Sequence, residues 1–440
     1  MLLLASYYFY AWWNPYFCIL LLFSSTLGYS TGLWIEQTRK DSYRKIILGF
    51  TMAIHLLILG WFKYYNFIIN SLNSIFGWVH VQHHIPNEEI ILPLAISFFT
   101  FHIIGYTIDV YRKDYAASHD YFNFIAHIAF FPQLVAGPIE RGGHLLPQFR
   151  KERQFSVDML VSGGRQALWG FFKKIAIADM LSLQVDYIFK NHSSQSGSTL
   201  LMGTIMFSIQ IYCDFSGYTD IALGIARMLG IELLTNFKFP YFATSITEFW
   251  HRWHISLSTW FRDYVYIPLG GSRVSNGRKY FNLMVVFMVS GMWHGAKWTF
   301  FIWGAIHGSL MVLNAAMSKK MKLPSNNLTL GLKMLLTFAI VTLAWVFFRA
   351  ASVQEATDII GNIFTRGLKD LPSIQKTGIK GLLCALFLFG VEWLQRDKVF
   401  GLDLKNMHYT IRWSAYVLII ILIFSSDSLN KQHEFIYFQF

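Results

Sequence analysis

Long apolar runs alternate with short basic segments along almost the whole chain. Residues 1–35 carry no charged side chain, more than the roughly 20 residues that one membrane span requires. Asn14-Pro15 divides this run into a partial span at 1–13 and a first complete span at 16–35. Arg39, Lys40, Arg44 and Lys45 follow and place that end in the cytoplasm, which leaves the residues before Tyr16 outside. The pattern predicts further spans at 46–62, 90–110, 165–189, 199–229, 279–293, 297–317, 328–348, 378–394 and 410–426, about ten in all. Segments 66–79, 121–138 and 250–267 are apolar but interrupted, and read as re-entrant or interfacial. Irregular backbone at membrane depth must be buried in protein or face a water-filled cavity. The loop 77–90 reads as external. The basic loops 111–113, 140–153, 318–322 and 396–412 read as internal. No internal repeat or long linker is visible, so the expectation is one all-α, polytopic membrane bundle over residues 1–440.

Composition strengthens this picture. Of 440 residues, 54% are hydrophobic and 14% charged, against roughly 25% charged in a soluble domain. Aromatics reach 18%, more than an interfacial belt of Trp and Tyr needs, so some are expected to line a cavity. The net charge of +12 sits in short loops rather than in a basic soluble domain, which argues against a nucleic-acid partner. Cys18, Cys213 and Cys384 are far apart in apolar sequence and read as small buried hydrophobes. The external cluster His80, His83 and His84 lacks accompanying ligand spacing, and no metal is expected.

Two segments stand out chemically. One is Met292-Trp293-His294-Gly295-Ala296-Lys297-Trp298, with Gly291 before it. A histidine at membrane depth needs a partner or a task, and the flanking glycines permit close approach of another backbone or a substrate. The other is Glu248-Phe249-Trp250-His251-Arg252-Trp253-His254, forty residues upstream. On a helical wheel over 250–265, Trp250, Trp253, Leu257, Trp260, Phe261 and Tyr264 share one side. Arg252, Ser256, Thr259 and Asp263 share the other, with His251 and Arg262 at the edge. His254 falls within the aromatic face and reads either as a packing residue or as a partner for His294. His294 and His307 are thirteen residues apart; on one straight helix that is roughly 20 Å and about 140°. His307 is therefore a packing residue with at most a supporting part. A neutral buried histidine suits general-base work near neutral pH.

Asp214 and Asp220, in Cys213-Asp214-Phe215-Ser216-Gly217-Tyr218-Thr219-Asp220, need partners at this depth. They read as structural or as orienting a histidine. Glu140 and Arg141 follow Pro138-Ile139 and are placed to pair. Ser272 and Arg273, after Pro268-Leu269-Gly270-Gly271, form a turn that is either solvated or able to meet a phosphate. The chain has no HExxH, GxSxG, P-loop or dinucleotide fingerprint.

Pro132-Gln133-Leu134-Val135-Ala136-Gly137-Pro138-Ile139, Phe249-Trp250-His251-Arg252-Trp253-His254-Ile255-Ser256-Leu257-Ser258, Trp260-Phe261-Arg262-Asp263-Tyr264, Trp293-His294-Gly295 and the terminal Phe435-Ile436-Tyr437-Phe438-Gln439-Phe440 occur in this order. Together they resemble the membrane-bound O-acyltransferases, and within them the branch of alginate O-acetyltransferases and D-alanyl transferases. The resemblance implies a bundle with a central tunnel or funnel open to both sides of a bacterial inner membrane. It implies that His294 is catalytic and His254 the second histidine, with Trp293, His307 and Asp214 as possible supports. The implied reaction moves an acetyl group from cytoplasmic acetyl-CoA, or another acyl thioester, to an extracytoplasmic polysaccharide. A secreted SGNH-hydrolase-like partner would complete the transfer, and no cofactor is held. Arg252, Arg262 and Arg273 are candidates for the donor's phosphates. Chains of that branch carry a further hydrophobic segment ahead of the Leu-Leu-Ala-Ser-Tyr stretch that opens here, so a preceding helix is expected or is missing. A transporter of a lipid-linked precursor, or a structural subunit of an export complex, is the competing reading.

Overall fold

The computed structural model describes residues 1–440 apart from Gln82, 318–325, Val399, Asn406, 428–434 and 437–440. The expected basic loop at 318–322 and the last four positions of the terminal aromatic motif thus lie outside the described residues. Among the described residues every regular element is helical. Six helices are long and apolar enough to cross a membrane: Phe17–Gln37, Asp41–Trp78, Gly197–Met228, Trp298–Met317, Asn327–Arg349 and Lys376–Leu394. Tyr409–Phe424 is a shorter apolar helix. The expected spans at 165–189 and 279–293 are helical too, but the first carries Lys173, Lys174 and Asp179 and the second is less apolar. The chain divides into two compact units, Met1–Phe155 with Gly230–Leu234, and Ser156–Leu229 with Thr235–Phe440.

In the first unit the break at Asn14 appears as expected, between Leu2–Trp13 and Phe17–Gln37. The separation of 46–62 from 66–79 does not. Asp41–Leu59 passes through a π-helical stretch, Gly60–Tyr64, into Tyr65–Trp78 without a break. Lys63, Tyr64, Tyr65 and Asn66 interrupt the hydropathy there, but all are compatible with a helix, and Lys63 Nζ reaches Ser97 Oγ at 3.5 Å. The span expected from residue 90 begins only at Ile96. Pro93 and the left-handed backbone of Ala95 (φ 62°) build a turn before it. The interrupted segment 121–138 forms Tyr121–Ala129 and Phe131–Leu134, both largely buried in protein, as irregular backbone in this setting requires. The Pro132–Ile139 motif runs into Glu140, whose carboxylate accepts from His144 (2.7 Å) and from the Leu234 amide (2.5 Å). The Glu140 amide donates to His102 Nε2 at 3.1 Å. This motif therefore shapes the first unit's core.

In the second unit, Val157–Phe171 continues through the π-helical stretch Phe172–Ala178 into Asp179–Lys190 and packs on Gly197–Met228. Gly163 faces the Gly224 backbone and Gly170 the Gly217 backbone, so closely that a Cβ at any of the four would strike a main-chain atom. Small residues at such positions are how helices approach in an apolar setting, where no hydrophobic force drives them together. The contact brings the buried Lys173 and the half-buried Lys174 against the acidic motif. Lys173 pairs with Asp220 (3.0 Å) and Glu392 (3.4 Å), and Tyr212 donates to Glu392 at 2.8 Å. Lys174 pairs with Asp214 (2.6 Å) and Asp179 (2.8 Å), and the Ile436 amide donates to Asp214 at 2.7 Å. Replacing Lys173 with Met leaves the buried Glu392 and the half-buried Asp220 without their cation, and should destabilise the fold by about 3–5 kcal/mol. Thermal unfolding in detergent should show a clear drop for Lys173→Met. Most of it should return when Asp220→Asn and Glu392→Gln are added; an unchanged transition for the single variant would show that the pair carries no stability.

Candidate functional site

The two histidine blocks meet in the second unit, though not on the elements the sequence suggests. Residues 250–265 do not form one amphipathic helix. Ser245 caps Ile246–Arg252 by accepting from the Glu248 amide, the chain breaks at Trp253 and His254, and Ile255–Phe261 begins anew before a π-helical stretch at Arg262–Tyr266. His254 takes a left-handed conformation (φ 42°, ψ 54°) at this break. The wheel fails there because it assumes continuous helix, although Trp250, Trp253, Leu257, Trp260 and Phe261 are indeed buried. Ser256, expected on the polar side, is buried as well and bonds to Asn236 at 2.6 Å.

His294 is the last residue of Asn276–His294. Gly295 is extended, and after a short turn the chain returns as Trp298–Met317, packed on the helix it has just left. Gly291 allows the return: its Cα faces the Phe300 carbonyl and lies against Gly304, and a Cβ there would strike main-chain atoms. The two histidines of this region therefore belong to a hairpin rather than to one straight helix. Trp303 touches both, with ring centroids 5.2 Å from His294 and 4.8 Å from His307. His307 is boxed by Trp250, Trp303 and Trp345.

His254 and His294 come together, with ring centroids 6.3 Å apart. Both are buried among aromatic rings. Phe215 stands edge-on to His254 at 4.7 Å, and Trp293 lies beside both imidazoles at 6.1 and 5.0 Å. Trp303 and Phe348 close the far side of His294. Among the described residues neither ring nitrogen of His254 has a hydrogen-bond partner, and burial pushes its imidazole toward the neutral form. A neutral imidazole offers one donor and one acceptor nitrogen.

Beside this pair lies a predominantly apolar cavity of about 300 Å³. Trp250, Phe261, Val286 and Phe287 are among its walls, and Arg262 and Thr259 belong to its polar part. Neither His254 nor His294 lines it, but Ile255, which follows His254, and Ser290, one turn before His294, do. Of the three candidate arginines, only Arg262 borders the cavity, half-exposed and paired with Asp263 at 2.7 Å. Arg252 is engaged by Glu248 at 2.6 Å, and Arg273 is exposed in the turn that follows Gly270 and Gly271, both of positive φ. Asp214 is held by Lys174 and the Ile436 amide, which gives it a structural partner set. Lys173, Lys174 and Asn236 were not singled out by the sequence reading. The signal for the lysines was present, since two adjacent cations inside an apolar run must find carboxylates.

Residues 112–353 match the family described as MBOAT, membrane-bound O-acyltransferase. A Pseudomonas aeruginosa protein named probable alginate O-acetylase AlgI is 40% identical over 385 residues, covering 87% of this chain and 72% of its own. This chain belongs to the membrane-bound O-acyltransferases. A Helicobacter pylori member named peptidoglycan O-acetyltransferase is 34% identical over 460 residues, covering 98% of this chain and 84% of its own. A Bacillus subtilis member named teichoic acid D-alanyltransferase is 31% identical over 290 residues, covering 61% and 71%. The protein is thus an enzyme of acyl transfer, and the matched region includes both histidine blocks.

The hairpin makes a direct prediction for this acyltransferase. Gly291→Val drives a side chain into the Phe300 carbonyl and should cost about 1–3 kcal/mol through forced separation of the two helices. Gly277, on the same helix, would meet nothing within 4 Å, so Gly277→Ala should leave the detergent melting temperature unchanged. Equal melting temperatures for the two variants would contradict the close approach.

Proposed function

We propose that this acyltransferase moves an acetyl group from acetyl-CoA, or a related acyl thioester, on the cytoplasmic side of a bacterial inner membrane toward hydroxyls of an extracytoplasmic polysaccharide. The observation that carries the reading is the pair of imidazoles 6.3 Å apart inside an aromatic enclosure, near enough for one small group to touch both rings. His294 takes the proton of the attacking hydroxyl, the oxygen bonds to the thioester carbonyl carbon, the C–S bond breaks, and the proton passes from His294 to the leaving thiolate. His254, neutral and without a competing partner among the described residues, donates its N–H to the carbonyl oxygen as negative charge develops there. Such placed donors act most strongly where water is excluded, and both imidazoles are buried among aromatic rings.

The cavity beside the pair is far larger than an acetyl group and suits the thin, mostly apolar arm of a thioester donor. Arg262 at its polar edge is favoured over Arg252 and Arg273 for the donor's phosphates, because of the three it alone borders the cavity. Trp293, Trp303 and His307 serve as walls of the enclosure. A secreted SGNH-hydrolase-like protein is the expected partner for final delivery to the polymer, and membrane lipid surrounds the bundle. The names of the relatives point to carbohydrate polymers as the acceptor class. The transporter reading loses its main support, since Asp214 and Asp220 are neutralised by Lys174 and Lys173 rather than left to carry an ion.

Replacing His294 with Ala should lower polymer-bound acetate about 10²–10⁴-fold, the usual worth of a general base, in cells with equal amounts of membrane-inserted protein. Unchanged acetylation would remove His294 from the chemistry and would favour a structural subunit. Ser290→Trp should fill the cavity while leaving both histidines in place. Release of coenzyme A from acetyl-CoA by the purified protein should then fall severalfold with a raised KM, and an unaltered KM would exclude the cavity as the donor's seat.

A further inference from the structure

The left-handed backbone of His254 has no glycine-like excuse. Such a conformation costs a non-glycine residue about 1–3 kcal/mol and persists only where surrounding structure over-determines it. The surrounding structure here is a short non-helical stretch, Asn236 to Phe239, bonded to residues 252–256. The Lys238 amide donates to the Arg252 carbonyl at 3.0 Å, and the Ile255 amide donates to the Asn236 carbonyl at 2.9 Å. Asn236 Oδ1 accepts twice more, from the Ser256 hydroxyl at 2.6 Å and from the Ser256 amide at 3.4 Å. Asn236 is fully buried. Phe237, its neighbour, packs edge-on against both Trp253 (5.0 Å) and Phe215 (4.9 Å), and Phe215 is the ring that abuts His254.

We infer that Asn236 is the positioning residue of the site: its carbonyl and side-chain oxygens clamp the backbone on the C-terminal side of His254 and thereby aim that imidazole at His294. The bonds fall on the two residues after His254 and on none of its ring atoms, so Asn236 sets direction and takes no part in proton transfer. An asparagine suits the task because one residue presents a main-chain and a side-chain acceptor toward the same short segment. Without Oδ1, the bonds from the Ser256 hydroxyl and amide to Asn236 are lost, and the first turn of Ile255–Phe261 is released to draw His254 back toward a right-handed conformation. The inference rests on the proposed role of His254.

The test is a double-mutant cycle on the purified full-length protein, reading coenzyme A released from acetyl-CoA. Asn236→Ala should lower kcat about 10–100-fold, the scale of a misdirected catalytic group, with the KM for acetyl-CoA nearly unchanged. Ser256→Ala should lose part of that, and Ser256→Thr, which keeps the hydroxyl, should recover it. The deciding comparison is Asn236→Ala in a His254→Ala background, where little further loss is expected because the group being aimed is already gone. Full additivity of the two losses, or an Asn236→Ala loss that only follows the amount of folded protein, would overturn the positioning role while leaving His254 in place. A fully active His254→Ala would instead overturn the role of His254 and this inference with it. The two failures are therefore distinct.

Discussion

The burial of polar groups in an apolar interior is the constraint from which the rest of this structure follows. A charge or imidazole taken out of water must find a partner, because the interior offers no solvent to replace it. The second unit answers this in two ways. Lys173 and Lys174 are met by Asp220, Glu392, Asp214 and Asp179, so four carboxylates and two ammonium groups settle one another within a few ångströms. His254 is surrounded by aromatic carbon and has no hydrogen-bond partner on either nitrogen among the described residues. The first arrangement is what a scaffold does with polar groups. His307 and His127 likewise lack a partner on both ring nitrogens among the described residues, so what sets His254 apart is its ring lying 6.3 Å from that of His294.

The same constraint explains how the helices approach. Burial of ion pairs between Val157–Lys190 and Gly197–Met228 demands that the backbones come close enough for short bonds. The glycines at 163, 170, 217 and 224 remove the side chains that would hold them apart. Gly291 and Gly304 do the equivalent for the hairpin that carries His294. There the close approach brings Trp303 onto His294, and Phe348 and Trp293 complete the wall. Helix packing and site construction are thus one problem, solved by placing the smallest residues where backbones meet and the largest where the enclosure must be dry.

The helical membrane class was legible because it depends on composition and on long runs, which are additive properties of the chain. The histidine pair was legible for a different reason: a costly residue embedded between tryptophans stands out wherever it occurs. What the sequence did not reveal was local backbone. The continuous helix over 41–78 hid behind Lys63, Tyr64, Tyr65 and Asn66, which lower hydropathy without interrupting hydrogen bonding. The break at His254 hid behind a run that keeps helical periodicity on both sides. It is created by Asn236, eighteen residues away, so no window confined to 250–265 contains the cause. The separation of His294 from His307 was legible in the expected spans at 279–293 and 297–317, and Gly295 ends the helix between them.

The break at His254 is the one that bears on the site, because there a local rule is overridden by a distant partner. A regular helix through 250–265 would put His254 in register with Trp250 and Leu257 on a packing face, sealed like its neighbours. The left-handed turn takes it out of that register and sets its ring 6.3 Å from His294, which arrives from a different hairpin. Strain at one residue is therefore the means by which two separately folded segments present their imidazoles to a common space. The clamp from Asn236 to Ile255 and Ser256 is what a fold needs in order to keep such strain from relaxing.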